Sequence, residues 1–256
     1  MKRIPLICAN WKMNKTLQES VEYLQDLMKK EKQYKEVEIL LLPSLVSLAS
    51  LSELKGKSHI QLGVQNAYYG QNGPFTGEVS PSQIEGYADY LLIGHSERIR
   101  FFHETDELVA KKIQYVTENH TITPILCIGE TMDIRKSGKT KEYLQEKLQT
   151  ILKQVKKENL HNMVIAYEPY WAISDGVSLK VTPKAEEIEE IATLLRDILA
   201  SIYVKEIADN TRILYGGSVN RENASEFIHL KDIDGFLIGV ASLDVHHFEE
   251  IIQKSL

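Results

Sequence analysis

Cysteine is scarce in this chain, and the signatures of bound metals and nucleotides are missing. The two thiols, Cys8 and Cys127, each sit inside an apolar run, so both read as buried and reduced rather than as a disulfide. No apolar run spans a bilayer: the densest, 39–54, is broken by Pro43 and several serines. The opening MKRIPLICANWKMN lacks a secretory core because Asn10 and Lys12 interrupt it, so the cytoplasm is the expected location and no membrane partner is expected. No GxGxxG follows the first apolar run, no GxSxG occurs, and the eight histidines show neither HxH nor HExxH spacing. Dinucleotide binding, a nucleophile elbow and zinc protease chemistry therefore lack support, and no metal or cofactor is expected. His246 and His247 fall in the last helical segment without an assignable carboxylate partner. The net charge of −6 argues against nucleic acid or an anionic membrane as partner, but it permits a locally positive pocket for a small anion.

What is present is an alternation. Short apolar runs at 5–10, 37–42, 60–65, 90–94, 123–129, 163–168, 212–216 and 235–239 are mostly apolar throughout, as strands covered on both faces should be. Amphipathic segments separate them. Leu144, Leu148, Ile151, Leu152 and Val155 form one helical stripe, and Ile188, Ile191, Leu195, Ile198 and Ile202 form another. A third segment, 16–32, carries Val21, Leu24 and Leu27 or Met28. Thr182 before Pro183 predicts an N-cap with proline at the first helical position, and Thr105 predicts a second cap. Eight units in 256 residues leave about 32 each, close to the ~30 that a βα repeat needs. With no Gly/Ser-rich linker, the pattern predicts one (β/α)8 barrel domain over 1–256, with a doubly wound sheet as the rival.

In such a barrel the chemistry stands at the C-terminal ends of the strands. The residues there are Asn10 and Lys12 after the first run, His95 and Glu97 after the fourth, Glu168 after the sixth, Gly216, Gly217 and Ser218 after the seventh, and Gly239 with Val240 after the eighth. Asn10 and Lys12 are two apart, so an extended chain puts both on one face, and His95 and Glu97 share that spacing. Taken singly each has a bland reading: a solvated lysine, a core histidine, a loop acid, a glycine turn. Together a cation, an imidazole, a carboxylate and two glycine turns suit a small anion beside an acid–base pair. Glycine turns present N–H groups to phosphate, and a carboxylate can take a carbon-bound proton next to a carbonyl that a histidine polarises.

At these residues the chain resembles the triosephosphate isomerase family. The matching pieces are ANWKMNKT (9–16), GVQNAYYGQNGPFTGEVSP (63–81), IGHSERIRFFHETDE (93–107), LCIGET (126–131), AYEPYWAI (166–173), ILYGGSVN (213–220) and DGFLIGVASL (234–243), in family order over nearly the whole chain. The resemblance implies Glu168 as the base and His95 as a neutral electrophile, with Lys12 and Asn10 holding the substrate and Glu97 pairing with Lys12. It also implies a phosphate cradle from Ser174, Gly216, Gly217, Ser218, Gly239 and Val240, and a lid over Pro169, Tyr170, Trp171, Ala172, Ile173, Ser174, Asp175 and Gly176. Thr76 resembles the tip of a loop that reaches a neighbouring subunit's site, implying a homodimer.

The chain also departs from the family. Ser174-Asp175-Gly176-Val177 replaces the expected Gly-Thr-Gly-Lys, and the interval to Pro183 is about two residues longer than the common pattern. Asp175 brings a carboxylate towards a dianion. Val240 stands where a second glycine is expected, and Ile99 where an arginine is expected, which leaves open whether Arg100 substitutes. These changes leave two phosphosugars open, a triose phosphate and the four-carbon erythrulose phosphate. A non-catalytic binding protein on the same barrel is a third reading, against which stand the intact Lys12, His95 and Glu168.

Overall fold

The computed structural model describes residues 3–160, 163–173 and 182–256. Eight parallel strands close into a barrel in chain order: β1 (Leu6–Asn10), β2 (Glu38–Leu42), β3 (Gln61–Val64), β4 (Tyr90–Ile93), β5 (Thr123–Ile128), β6 (Val164–Tyr167), β7 (Arg212–Tyr215) and β8 (Gly235–Ile238). Closure comes from β8 pairing with β1, Leu6 opposite Gly235 through Ala9 opposite Ile238. The doubly wound alternative is thereby excluded.

The continuous apolar strands have a simple cause. Alternate side chains point inward and outward, and both directions are buried. Leu6, Cys8, Leu40, Leu42, Leu92, Ile125, Cys127, Val164, Ala166, Leu214 and Leu237 fill the barrel. Ile7, Ala9, Ile39, Leu41, Leu91, Leu126, Ile165 and Ile213 pack outward against the helices. Both cysteines are free and buried. Burying a Leu, Ile or Val side chain contributes about 1.5–3 kcal/mol, so every strand is held from two sides.

The helices Thr140–Leu152 and Ala185–Ile202 carry the predicted stripes inward, except that Val155 falls past the end of the first and is buried in the turn that follows. The first segment is helical over Leu17–Met28, opened by Thr16, whose hydroxyl accepts the Glu19 N–H while Glu19 accepts the Thr16 N–H. Thr105 caps Asp106–Asn119 as predicted. The expected start at Thr182-Pro183 is corrected. That helix begins at Ala185, and the Glu187 carboxylate accepts the Lys184 N–H. Pro183 is buried ahead of the helix, where its missing N–H costs nothing. Among the described residues no helix is long and apolar enough to cross a membrane.

Candidate active site

The C-terminal ends of β1, β4, β6, β7 and β8 surround a cavity of about 330 Å³. Asn10, Lys12, His95 and Glu168 line one part of it, and Gly216, Gly217, Ser218, Asn220, Gly239 and Val240 line another. The size suits a compact ligand, near the lower end of the usual range for binding clefts.

Lys12 reaches this cavity by a route the strand alternation does not anticipate. β1 ends at Asn10, and Lys12 adopts a left-handed backbone with φ of 53°. The Asn10 side-chain oxygen accepts the Lys12 N–H at 3.1 Å, and the Gln65 amide donates to the Lys12 carbonyl at 2.8 Å. A non-glycine residue in this region costs about 1–3 kcal/mol and persists only where its surroundings hold it. The Lys12 ammonium then donates to the Glu97 carboxylate at 2.7 Å. Gly239 packs against the same side chain: a Cβ there would stand 3.3 Å from Lys12 Cε.

His95 and Glu97 likewise do not share a strand face. His95 caps the helix Ser96–Phe102, and Glu97 lies in its first turn. The Glu97 N–H donates to His95 Nδ1 at 3.2 Å, which places the ring proton on Nε2. That Nε2 lies 3.1 Å from Glu168 Oε1, and the Ser96 N–H donates to Glu168 Oε2 at 3.1 Å.

Glu168 is buried with 1% of its surface exposed. Burial pushes its carboxyl up, but the His95 ring, the Ser96 N–H and Lys12 outweigh that and hold it below its ordinary value. The same pair acts in reverse on His95. Burial pushes the ring down, and the Glu168 charge and hydrogen bond carry it above its ordinary value while the two face each other. The Glu97 N–H opposes a second proton, because Nδ1 can take one only by giving up that bond. Apart from Glu168, burial and the Lys12 charge favour the neutral ring, against the Glu97 carboxylate 3.7 Å from Nδ1.

Two glycines make room for Glu168, one for its side chain and one for its backbone. A Cβ on Gly216 would stand 2.9 Å from Glu168 Cγ, and one on Gly129 would stand 1.7 Å from the Glu168 carbonyl oxygen. Downstream, Pro169 to Ile173 run out of the barrel, tied to neighbouring elements by hydrogen bonds. Ser218 Oγ donates to the Ala172 carbonyl at 2.6 Å, Trp171 Nε1 donates to Glu130 at 2.9 Å, and the Tyr170 N–H donates to the Glu130 carbonyl at 3.1 Å. The Tyr170 hydroxyl is buried and has no partner among the described residues. Ser174, Asp175 and Gly176 lie outside the described residues.

Sequence reasoning missed Glu130 and Ser96 as site components. Glu130 is fully buried and also accepts from the Tyr167 hydroxyl at 3.1 Å. Its position after β5, in LCIGET, was the available signal. Ser96 acts through its backbone, which no side-chain pattern reveals. Ile99 and Arg100 border a different groove with Tyr170 and Trp171, so Arg100 does not stand in for an arginine in the cavity, and its guanidinium lies over Phe101. His246, expected without a carboxylate partner, meets Glu249 at 3.3 Å, a partner one helical turn on. Among the described residues no cluster of three or more His, Cys, Asp or Glu could hold a metal ion.

Comparison with known proteins agrees with this geometry. The family model described as triosephosphate isomerase matches residues 5–255. The chain is similar to the triosephosphate isomerase of Clostridium tetani, 40% identical over 98% of this chain and 96% of the relative. It is likewise 40% identical to that of Dictyoglomus thermophilum, over 98% of this chain and 100% of the relative, and to that of Finegoldia magna, over 98% of each. The chain belongs to the triosephosphate isomerase family.

Proposed function

We propose that this protein is an isomerase that interconverts dihydroxyacetone phosphate and glyceraldehyde 3-phosphate by moving one proton between adjacent carbons. The observation that carries this reading is the meeting of Glu168, His95 and Lys12 on one small cavity whose far wall consists of glycine turns. Glu168 takes the carbon-bound proton and returns it to the neighbouring carbon. Its two oxygens are held at 3.1 Å by Ser96 and His95, so the base is poised without being locked by a full ion pair. His95 donates its Nε2 proton to the substrate oxygen that gains charge, a role for which the Glu97 N–H fixes the tautomer. The family is itself a standard example of this pairing of a glutamate base with a neutral histidine.

Lys12 supplies the positive charge beside the enediolate and the phosphate, with Asn10 fixing its backbone. The turns at Gly216–Ser218 and Gly239–Val240 cradle the phosphate. Pro169 to Ile173 form the start of a lid whose closure dries the site. A second chain of the same kind covers the groove formed by Met13, Glu97, Arg98 and Phe102, where Met13 is 97% and Phe102 66% exposed. The exposed Thr76 loop fits such a groove, which favours a homodimer. Two free buried thiols fit a reducing cytoplasm.

The test is a coupled assay of the purified protein on glyceraldehyde 3-phosphate and on erythrulose phosphate. Brisk triose turnover with feeble tetrulose turnover is the expected result. The reverse order assigns the site to the four-carbon sugar, and turnover of neither overturns the isomerase reading.

A further inference from the structure

The loop between β1 and the helix Leu17–Met28 holds two lysines, Lys12 on the cavity wall and Lys15 away from it. Lys15 adopts left-handed backbone as Lys12 does, with φ of 66°. Its ammonium stands 4.7 Å from the centre of the Tyr23 ring and 5.4 Å from that of Trp11. It donates to the Leu243 carbonyl at 2.8 Å. Burial lowers its pKa, and the charges of Glu19 and Asp244 offset only part of that. A half-buried cation held by two aromatic faces and a carbonyl has a fixed position, unlike a lysine trailing in solvent.

What Lys15 grips is the turn after β8. Leu243 closes the 3-10 turn Val240–Ser242 by donating its N–H to the Val240 carbonyl at 3.0 Å. The Tyr23 hydroxyl donates to the Ser242 carbonyl at 2.8 Å, and the Trp11 ring meets Tyr23 edge-on at 4.8 Å. Gly239, at the other end of the same turn, lies against the Lys12 side chain. The loop and the turn therefore meet at two points, Lys12 at Gly239 and Lys15 at Leu243. We propose that Lys15 is a positioning residue for the reaction: by clamping its loop to the turn after β8, it sets where the Lys12 ammonium stands in the cavity. This rests on the isomerase reading of that site.

The test is a double-mutant cycle on kcat for glyceraldehyde 3-phosphate. Lys15→Met should lower kcat by roughly 10–10²-fold, since about 1 Å of misplacement costs on the order of 10²-fold. Lys15→Arg keeps a cation and a donor and should restore most of that loss. In a Lys12→Met background no ammonium is left to position, so Lys15→Met should cost nothing further. The same loss in both backgrounds overturns the positioning role. So does a fall in melting temperature with kcat intact, which is all that a brace of the fold would give. Should the methionine variant not fold, Tyr23→Phe carries the test, because it removes one bond to the turn and leaves the ring in place. It should lower kcat less, again only when Lys12 is present, and an unchanged kcat overturns the role. Phosphoglycolate affinity, measured by calorimetry across the same cycle, should follow the same pattern without any turnover. Absence of triose turnover in wild type overturns the isomerase reading instead, and the affinity cycle then still decides whether Lys15 acts through Lys12.

Discussion

The two rims of the barrel are built on opposite terms. At the N-terminal rim charges are buried and matched. Arg212 donates to Glu38 at 2.7 Å and to the Tyr90 hydroxyl at 2.7 Å, plugging the barrel floor. Outside it, Arg196 holds Asp232 at 2.8 Å and Asp234 at 3.2 Å, and Arg3 holds Asp234 at 2.5 Å. At the C-terminal rim a lysine sits in left-handed backbone, a tyrosine hydroxyl is buried with no partner among the described residues, and a buried glutamate leans on a histidine. One rim pairs its charges within the fold, although the Tyr34 hydroxyl and His120 Nε2 there have no partner among the described residues. The other turns Lys12, His95 and Glu168 towards a cavity. The strained backbone of Lys12 stands where the chemistry is, at the rim on which this architecture builds its sites.

That contrast can be broken from either side. The largest effect should come from the N-terminal rim. Arg196→Met leaves Asp232 and Asp234 buried beside a lost cation, and removing one partner of a buried ion cluster costs about 3–5 kcal/mol. Urea unfolding should show that loss, while kcat of the folded fraction stays as in wild type. A catalytic defect without a stability defect would erase the distinction between the rims.

Lys12→Met should do the opposite. Loss of a preorganised charge costs roughly 10²–10³-fold in kcat. The melting temperature should hold, since Glu97 is partly exposed and tolerates losing its partner. Gly216→Ala is the next test. The added methyl meets Glu168 Cγ at 2.9 Å, so the base must shift, and a misplacement of about 1 Å costs on the order of 10²-fold.

The smallest effect is a pH signature of the Glu168–His95 pair. A carboxyl held below its ordinary 4.5 stabilises the fold above 4.5, and that share is lost as pH falls below it. A ring raised above its ordinary 6.5 stabilises the fold below 6.5, and that share is lost as pH rises beyond it. The melting-temperature difference between wild type and Glu168→Gln should therefore reach its plateau between those values and change on both sides. A difference independent of pH would mean that the pair does not titrate together.

The barrel was legible in the sequence because parallel strands buried on both faces leave unbroken apolar runs at a regular interval. Strand limits agreed within a residue or two, since β6 and β7 stop where Glu168 and Gly216 turn out of the sheet. The start of the helix after Pro183 was less legible, because a buried proline can precede a helix as easily as open it. The site residues were legible by type and misplaced by mechanism. Lys12 follows Asn10 through a left-handed turn rather than along a strand, and Glu97 follows His95 around a helix. Side-chain spacing cannot show that the Ser96 contact to Glu168 runs through a backbone N–H.

The central claim is that Glu168 moves a carbon-bound proton. The direct measurement is deuterium uptake from D2O into the carbon-bound positions of dihydroxyacetone phosphate and glyceraldehyde 3-phosphate, followed by proton NMR for wild type and Glu168→Gln. Phosphoglycolate binding should first show that the variant's site is intact. The account predicts rapid uptake by wild type and a fall of roughly 10²–10⁴-fold or more in the variant, the range general-base assistance supplies. Uptake at the wild-type rate in Glu168→Gln would place the base elsewhere and contradict the account.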